Sequence, residues 1–295
     1  MIKSYREYVN ESAGVELTQE QKEWLRTCTN GIFRVDEKTG FVDVIGYFDC
    51  SGQGLSDFKG ISFGYVSEDF FCSKNLLSSL KGAPRTVGGE FACYENRLTS
   101  LERAPQEVGE GFFCDENELT SLEGSPKIIH GQFNCSQNKL KSLKGGPEKV
   151  EKGFFCKDNM LTSLEGAPQS VGGAFEFQRN QIMSLKHCPP EVGGDFNCSR
   201  NELSSLEHSP TEVKGDFICL NNYVTSLKGI PGKIEGDIFI DDNPVYKKYV
   251  SSLGDIASLD KTQKTFFLKT ISQVDSEDPD TIEKILRAVK RIGLF

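Results

Sequence analysis

The chain has 295 residues, with 34 Lys and Arg against 43 Asp and Glu, a formal net charge of -9. That balance argues against a nucleic-acid binder, which needs a basic face to displace counterions from phosphates, and favours basic protein partners. No apolar run approaches the ~18 residues that span a bilayer and the opening has no apolar signal core, so a soluble chain is expected, with no membrane partner.

Met1 to Ala13 differs in character from the rest of the chain. Tyr5, Tyr8 and Val9 have the i, i+3, i+4 spacing of a short amphipathic turn, and a frayed terminus fits equally. The same residues resemble the capsid-targeting sequence of internal head proteins of tailed phages, a Met-Lys-x-Tyr-x-Glu-Phe-Ile-x-Glu tag cut after its last Glu before a small residue. Lys3, Tyr5, Glu7, Tyr8, Val9 and Glu11 fall at the matching offsets, followed by Ser12 and Ala13. An extra Ile2 and Tyr8-Val9 in place of Phe-Ile depart from the pattern but keep the aromatic and β-branched character. The resemblance implies processing between Glu11 and Ser12, a place in the virion head, and the host cytoplasm as the site of synthesis.

Leu17 to Cys28 reads as a helix, with Thr18 as its cap, Gln21 three residues on in a capping-box arrangement, and Trp24 and Leu25 on the apolar side. From Ile32 to Asp49 the pattern turns to strands, IFRV and FVDV around Glu37-Lys38-Thr39-Gly40, where Gly40 can close a hairpin with positive φ. A helix and a hairpin at this place would cap the open edge of a repeat array beginning near Cys50.

Cys72, Cys93, Cys114, Cys135 and Cys156 recur every 21 residues; Phe177 takes the next slot, and Cys198, Cys219 and Ile240 keep the period. Asn comes three residues later each time, from Asn75 to Asn243. Cys50 opens a degenerate first unit, with Gln53 in the Asn slot and 22 residues to the next Cys. A fixed period of this length predicts a solenoid and one continuous body. From Phe70 onward the unit is Phe-x-Cys-x-x-Asn-x-Leu-Thr-Ser-Leu-x-Gly-x-Pro-x-x-Val-x-Gly. Phe and Cys alternate with variable residues and so face inward from a short strand. The Asn at the bend can bond to backbone of the neighbouring coil and stack as a ladder. Leu fills the core, and Pro84, Pro105, Pro126 and their equivalents start a returning segment that Val or Ile anchors. Proline and glycine leave that convex side extended or in short 3₁₀ turns.

The eight Cys of the column are expected as a reduced, buried thiol ladder. Stacked strands hold equivalent side chains ~4.8 Å apart and parallel, whereas a disulfide needs converging Cβ atoms at about 3.5 to 4.5 Å. A line of thiols is also no tetrahedral zinc site, and Phe177 in one slot points to an apolar position.

This pattern resembles the leucine-rich repeat, with Phe-x-Cys-x-x-Asn-x-Leu in place of Leu-x-Leu-x-x-Asn-x-Leu. It is most similar to the short, about 21-residue bacterial and phage variety whose units run Leu-Thr-Ser-Leu-x-Gly-x-Pro. The resemblance spans Cys50 to Asn243 and implies a curved parallel-β solenoid that binds other proteins. Past Asn243 the period stops, and Val245 to Leu253, Lys261 to Val274 and Pro279 to Ile292 read as helices. The expected organisation is therefore a tag-like leader over 1–13, an N-terminal cap over 14–49, the repeat array over 50–243 and a C-terminal helical cap over 244–295.

No Ser, His and Asp constellation suggests a nucleophile, so no catalytic residue and no enzyme is expected. The His187 and His208 pair shares no column with a carboxylate or thiol, so no metal site or cofactor is expected. Bacterial leucine-rich-repeat effectors carry ligase domains after the array, and the residues after Asn243 are too few for one. The informative surface is the concave sheet face. Phe71, Phe113 and Phe155 occupy every second repeat just before the Cys slot, joined by Ile218 and Phe239. Acids surround them, among them Asp115, Glu116, Glu176, Asp195, Asp216 and Asp237, with Lys74, Lys157, Arg179 and Arg200 in opposition. Apolar anchors plus charge complementarity are what a protein-binding hot spot needs, here toward a basic partner. Two uses of such a module are expected: delivery to the host from the head, or a structural or assembly part of the phage virion.

Overall fold

The structure is a computed structural model and describes residues 16–246, 259–274 and 284–285. The tag-like residues Lys3 to Ser12, and all or most of the helices expected over Val245 to Leu253 and Pro279 to Ile292, lie outside the described residues. The chain packs as two compact units, the first taking residues 1–140 and 144–150, the second residues 141–143 and 151–295.

The first unit opens on helix α1, Gln19–Cys28. Thr18 and Gln21 form the expected capping box: the Gln21 amide donates to Thr18 Oγ1 at 3.2 Å and the Thr18 amide donates to Gln21 Oε1 at 2.9 Å. Its buried side, Trp24, Leu25 and Cys28, rests on the first coil. The Trp24 indole meets the Phe48 ring edge-on at 5.4 Å, and its N–H donates to Gln53 Oε1 at 2.8 Å. Gln53, in the slot that Asn fills elsewhere, thus serves the cap. Strands β1, Ile32–Val35, and β2, Val42–Ile45, form the expected hairpin, and Gly40 closes it with φ 70°. Two turn amides donate to Asp36 Oδ1, and these bonds, that of Thr39 foremost, hold its carboxyl below the usual range. β2 pairs in parallel with Phe63–Val66, so the hairpin extends a sheet rather than standing alone.

From Phe70 onward each coil of a unit contributes one two-residue strand to a Phe-strand sheet and one to a returning-side sheet, both parallel from coil to coil. In the first unit the Phe strands are Phe48–Asp49, Phe70–Phe71, Phe91–Ala92, Phe112–Phe113 and Phe133–Asn134, paired Phe to Phe. In the second they run from Phe154–Phe155 to Ile238–Phe239 in the same register. The returning segments pair likewise, Thr86–Val87 with Glu107–Val108 in the first unit and Glu191–Val192 with Glu212–Val213 in the second. The molecule is therefore a leucine-rich-repeat-like parallel β-solenoid with a 21-residue coil and an extended returning side; no 3₁₀ turn occurs among the described residues. Glycine makes that side possible: a Cβ on Gly109 would sit 2.0 Å from the Gly88 carbonyl oxygen of the coil before it. The glycines after the anchoring Val thus allow coils to approach, as a backbone role predicts.

The core is layered. Phe48, Phe70, Phe91, Phe112 and Phe133 stack with ring centroids 5.1–5.8 Å apart, all fully buried. Such pairs contribute about 0.5–1.5 kcal/mol each beyond the area they bury. In the second unit Phe175, Phe196 and Phe217 continue the motif, and Phe177 in a Cys slot touches Phe175 and Phe196. None of the ten cysteines forms a disulfide, and those of the column are buried. The Asn column works through the backbone rather than side chain to side chain. Asn96 donates to the Cys72 carbonyl of the preceding coil and the Cys93 carbonyl of its own, and its Oδ1 accepts the Leu77 amide.

The second unit ends under helix α2, Lys261–Val274. Asp260 caps it, accepting the Gln263 amide at 2.8 Å. Lys269 Nζ donates to the carbonyls of Ile234 and Gly236 at 2.6 and 3.1 Å, and Thr265 Oγ1 donates to Asp237 Oδ1 at 3.1 Å. These contacts satisfy backbone groups of the last coil, as the terminal cap of a solenoid must.

Candidate protein-binding face

The outward face of the Phe-strand sheet is built from four positions per coil: three and one before the Cys slot, and one and two after it. Inward Phe and Cys fix the strand, so the residue between them must point out. Phe71, Phe113, Phe155, Ile218 and Phe239 all occupy that outward column and are half-buried. The Phe113 ring lies over Gly111, where an added Cβ would meet it at 2.6 Å, and the Phe155 ring lies over Gly153 in the same way. A glycine three before the Cys slot thus makes the seat for the aromatic.

Where that position is Asp, its carboxylate serves the stack. Asp195 Oδ1 accepts the Asp216 amide and Asp216 Oδ1 accepts the Asp237 amide, each at 2.8 Å; Asp69 does the same for Glu90. Asp237 accepts Thr265 instead. These acids are half-buried and hydrogen-bonded along the coil axis. The acids after the Cys slot are placed differently. Asp115 is half-buried beside Phe113, and Glu116 is exposed, accepting from Gln137 Nε2 at 3.4 Å. Glu176, half-buried, accepts from Gln178 Nε2 at 3.1 Å.

The face is not uniformly acidic. In the first unit Glu95, Asp115 and Glu116 share the face with Lys74, which is paired to Glu95 at 3.4 Å. In the second unit three successive coils present Lys157, Arg179 and Arg200 against Asp158. Around these lies a cleft of about 310 Å³, with Gln178, Ile218 and Leu220 among its walls. Gln178 and Leu220 escaped the sequence reading because each looks like an ordinary variable position, and only the stacking of two repeats brings them to one cleft.

Among the described residues no group of three or more His, Cys, Asp or Glu is placed to hold a metal ion, and no helix is long and apolar enough to cross a membrane. His187 and His208 are exposed, with φ of 72° and 68° in the slot where most coils have glycine. Burial pushes the Cys72 and Cys114 thiols well up. A thiol so placed is protonated and a poor nucleophile.

No family model and no curated protein matches the chain. Among solved structures, a match is YopM from Yersinia enterocolitica WA-314, 20% identical over 67% of this chain and 42% of that chain, with a TM-score of 0.49. The chain thus spans less than half the length of that protein. Its leucine-rich-repeat-like architecture is established by its own period and by the strand pairing from coil to coil.

Proposed function

We propose that this solenoid is a non-enzymatic protein-binding module. In the first unit Phe71 and Phe113 serve as apolar anchors, and Asp115 and Glu116 attract a basic segment of the partner; in the second, Phe155, Ile218 and Phe239 supply the aromatic and aliphatic column.

One observation supports display above all others. The residue two after the Cys slot is left-handed in coil after coil, with φ of 57° at Lys74, 52° at Glu116, 54° at Arg200 and 63° at Asp242. From Lys74 to Asp242 no coil uses glycine there. Yet the other left-handed slot takes glycine at 82, 124, 145, 166 and 229. A side chain in this conformation costs about 1 kcal/mol or more that glycine avoids. Bearing that cost repeatedly at an outward slot fits a surface kept for recognition.

A pull-down comparing wild type with Phe113→Asp, Phe155→Asp and Glu116→Lys tests the reading. Loss of a basic partner from the variants supports it, and recovery of the same proteins by all four rejects it. The tag-like opening further supports a phage protein packaged in the head and released into the host cytoplasm. Mass spectrometry of purified virions should then find a peptide beginning at Ser12; no peptide, or only uncut N-termini, counts against packaging. A structural or assembly role in the virion instead predicts a fixed copy number per particle.

A further inference from the structure

We infer that the second unit carries a separate cleft for a carboxylate-bearing segment of a partner protein, with Arg200 and Lys157 as the recognising cations. The inference does not rest on the basic-partner reading, which concerns acids of the first unit.

The starting point is charge. In a chain of net charge -9, Lys157, Arg179 and Arg200 line one cleft from three consecutive coils, and Asp158 lines it with them. Asp158 bonds Arg179 Nη1 at 3.3 Å. Arg200, exposed, and Lys157, half-exposed, have no ion pair among the described residues. Two uncompensated cations beside one concavity attract an anion, and the planar Arg fork matches a carboxylate.

The walls choose among anions. A volume of about 310 Å³ lies at the lower end for ligand sites and suits one or two side chains rather than a large cofactor. Ile218 and Leu220 supply apolar wall, for which a free phosphate has no use. Gln178 adds a polar wall, its Nε2 held by Glu176 at 3.1 Å and its Oε1 buried without a hydrogen-bond partner. A peptide N–H reaching that oxygen would satisfy an acceptor that is otherwise costly to bury. A nucleic-acid backbone would need a longer basic stripe than three cations with Glu176 and Asp158 beside them. Cation, amide and aliphatic wall together fit an extended acidic segment that also carries aliphatic side chains. Arg179 and Arg200 sit in the left-handed slot, so the chain keeps bulky cations where glycine would be easier.

The test is fluorescence anisotropy of the full chain with a labelled peptide of alternating Glu and Leu, at low ionic strength. The expected result is saturable binding that weakens about tenfold in Arg200→Glu and further in the Lys157→Glu/Arg200→Glu double variant. Lys139→Glu, the same charge change elsewhere on the repeat array, should leave affinity unchanged. Arg200→Asn removes the cation while suiting the left-handed backbone, so weakening there excludes a folding artefact. Three outcomes overturn the inference: no binding by wild type, equal weakening by Lys139→Glu, or preferential binding of a short oligothymidylate or of inorganic phosphate with the same dependence on Arg200. Since the variants leave Asp115 and Glu116 intact, failure here leaves the basic-partner test standing, and the reverse holds.

Discussion

Asn117 donates from Nδ2 to the Cys93 carbonyl of the preceding coil at 3.0 Å, across 24 residues of chain. The same amide group donates to Cys114 in its own coil and accepts the Leu98 amide at 3.0 Å, so one side chain serves backbone that neither sheet pairs. Replacement by Leu would orphan the buried Leu98 N–H and take one of two Asn donors from each of the Cys93 and Cys114 carbonyls, which keep Asn96 and Asn138, so Asn117→Leu should cost about 2 kcal/mol, read as a lower urea midpoint. Asn117→Asp keeps the acceptor for Leu98 but turns a carboxylate toward two carbonyls. Its carboxyl should be raised in the folded state, a penalty present at neutral pH and relieved as pH falls toward the unfolded value of about 4. The gap between wild type and Asn117→Asp should therefore narrow in acid. A gap independent of pH would count against this role for the Asn column.

The thiol column predicts alkaline instability. Burial raises Cys50, Cys72, Cys93, Cys114, Cys135 and Cys198. A group raised in the folded state stabilises fully below its unfolded value and loses that contribution as pH climbs toward the folded one. Each thiol should thus subtract about 1.4 kcal/mol per pH unit once pH passes about 8.5. Urea midpoints in reductant from about pH 7 to about pH 10 should fall steeply above the thiol value. The Cys114→Ala/Cys135→Ala variant should be weaker at neutral pH yet shallower in its alkaline slope. Equal slopes would mean that the thiols are not what fails.

Much of this architecture is legible in the chain because the period exposes it. Cys and Phe at fixed offsets predict the inward face, and Thr18 with Gln21 predicts the start of α1. The second sheet is harder to see. A segment such as Pro84 to Gly89 has too few residues and too much proline and glycine to read as a strand, and only its stacked neighbour makes Thr86–Val87 pair. The acids mislead for a related reason. Asp195 and Glu116 look alike in sequence, but the former meets the next coil's amide and the latter faces solvent. The cleft of the second unit is hidden because acids outnumber basic residues along the array, though not among the residues that line the cleft.

The left-handed slot separates stability from recognition. Glu116→Gly should leave the chain equally or more stable, by up to about 1 kcal/mol, while weakening a basic partner. Glu116→Val should destabilise by about 1–2 kcal/mol, because a β-branched residue tolerates positive φ poorly. Gly124→Ala should cost more than either, since its Cβ would lie 2.4 Å from the Leu101 carbonyl oxygen at φ 96°. Thermal unfolding of the three variants orders them. If Glu116→Gly proves the least stable, the side chain is structural and its role in display fails.

Adjacent phenylalanines give the sharpest contrast. Phe112 is fully buried and stacks between Phe91 at 5.1 Å and Phe133 at 5.6 Å, whereas Phe113 is half-buried on the outer face. Phe112→Ala opens a cavity among rings that cannot collapse without moving two coils, and should cost about 3–5 kcal/mol. Phe113→Ala removes a ring that lies over Gly111 and should cost about 1 kcal/mol, while reducing partner capture as strongly as Phe113→Asp. Because a one-residue slip of register would exchange the two roles, the pair also tests the strand alignment. Comparable destabilisation by both would show that the outer ring is packing, and the anchor assigned to it would have to be given up.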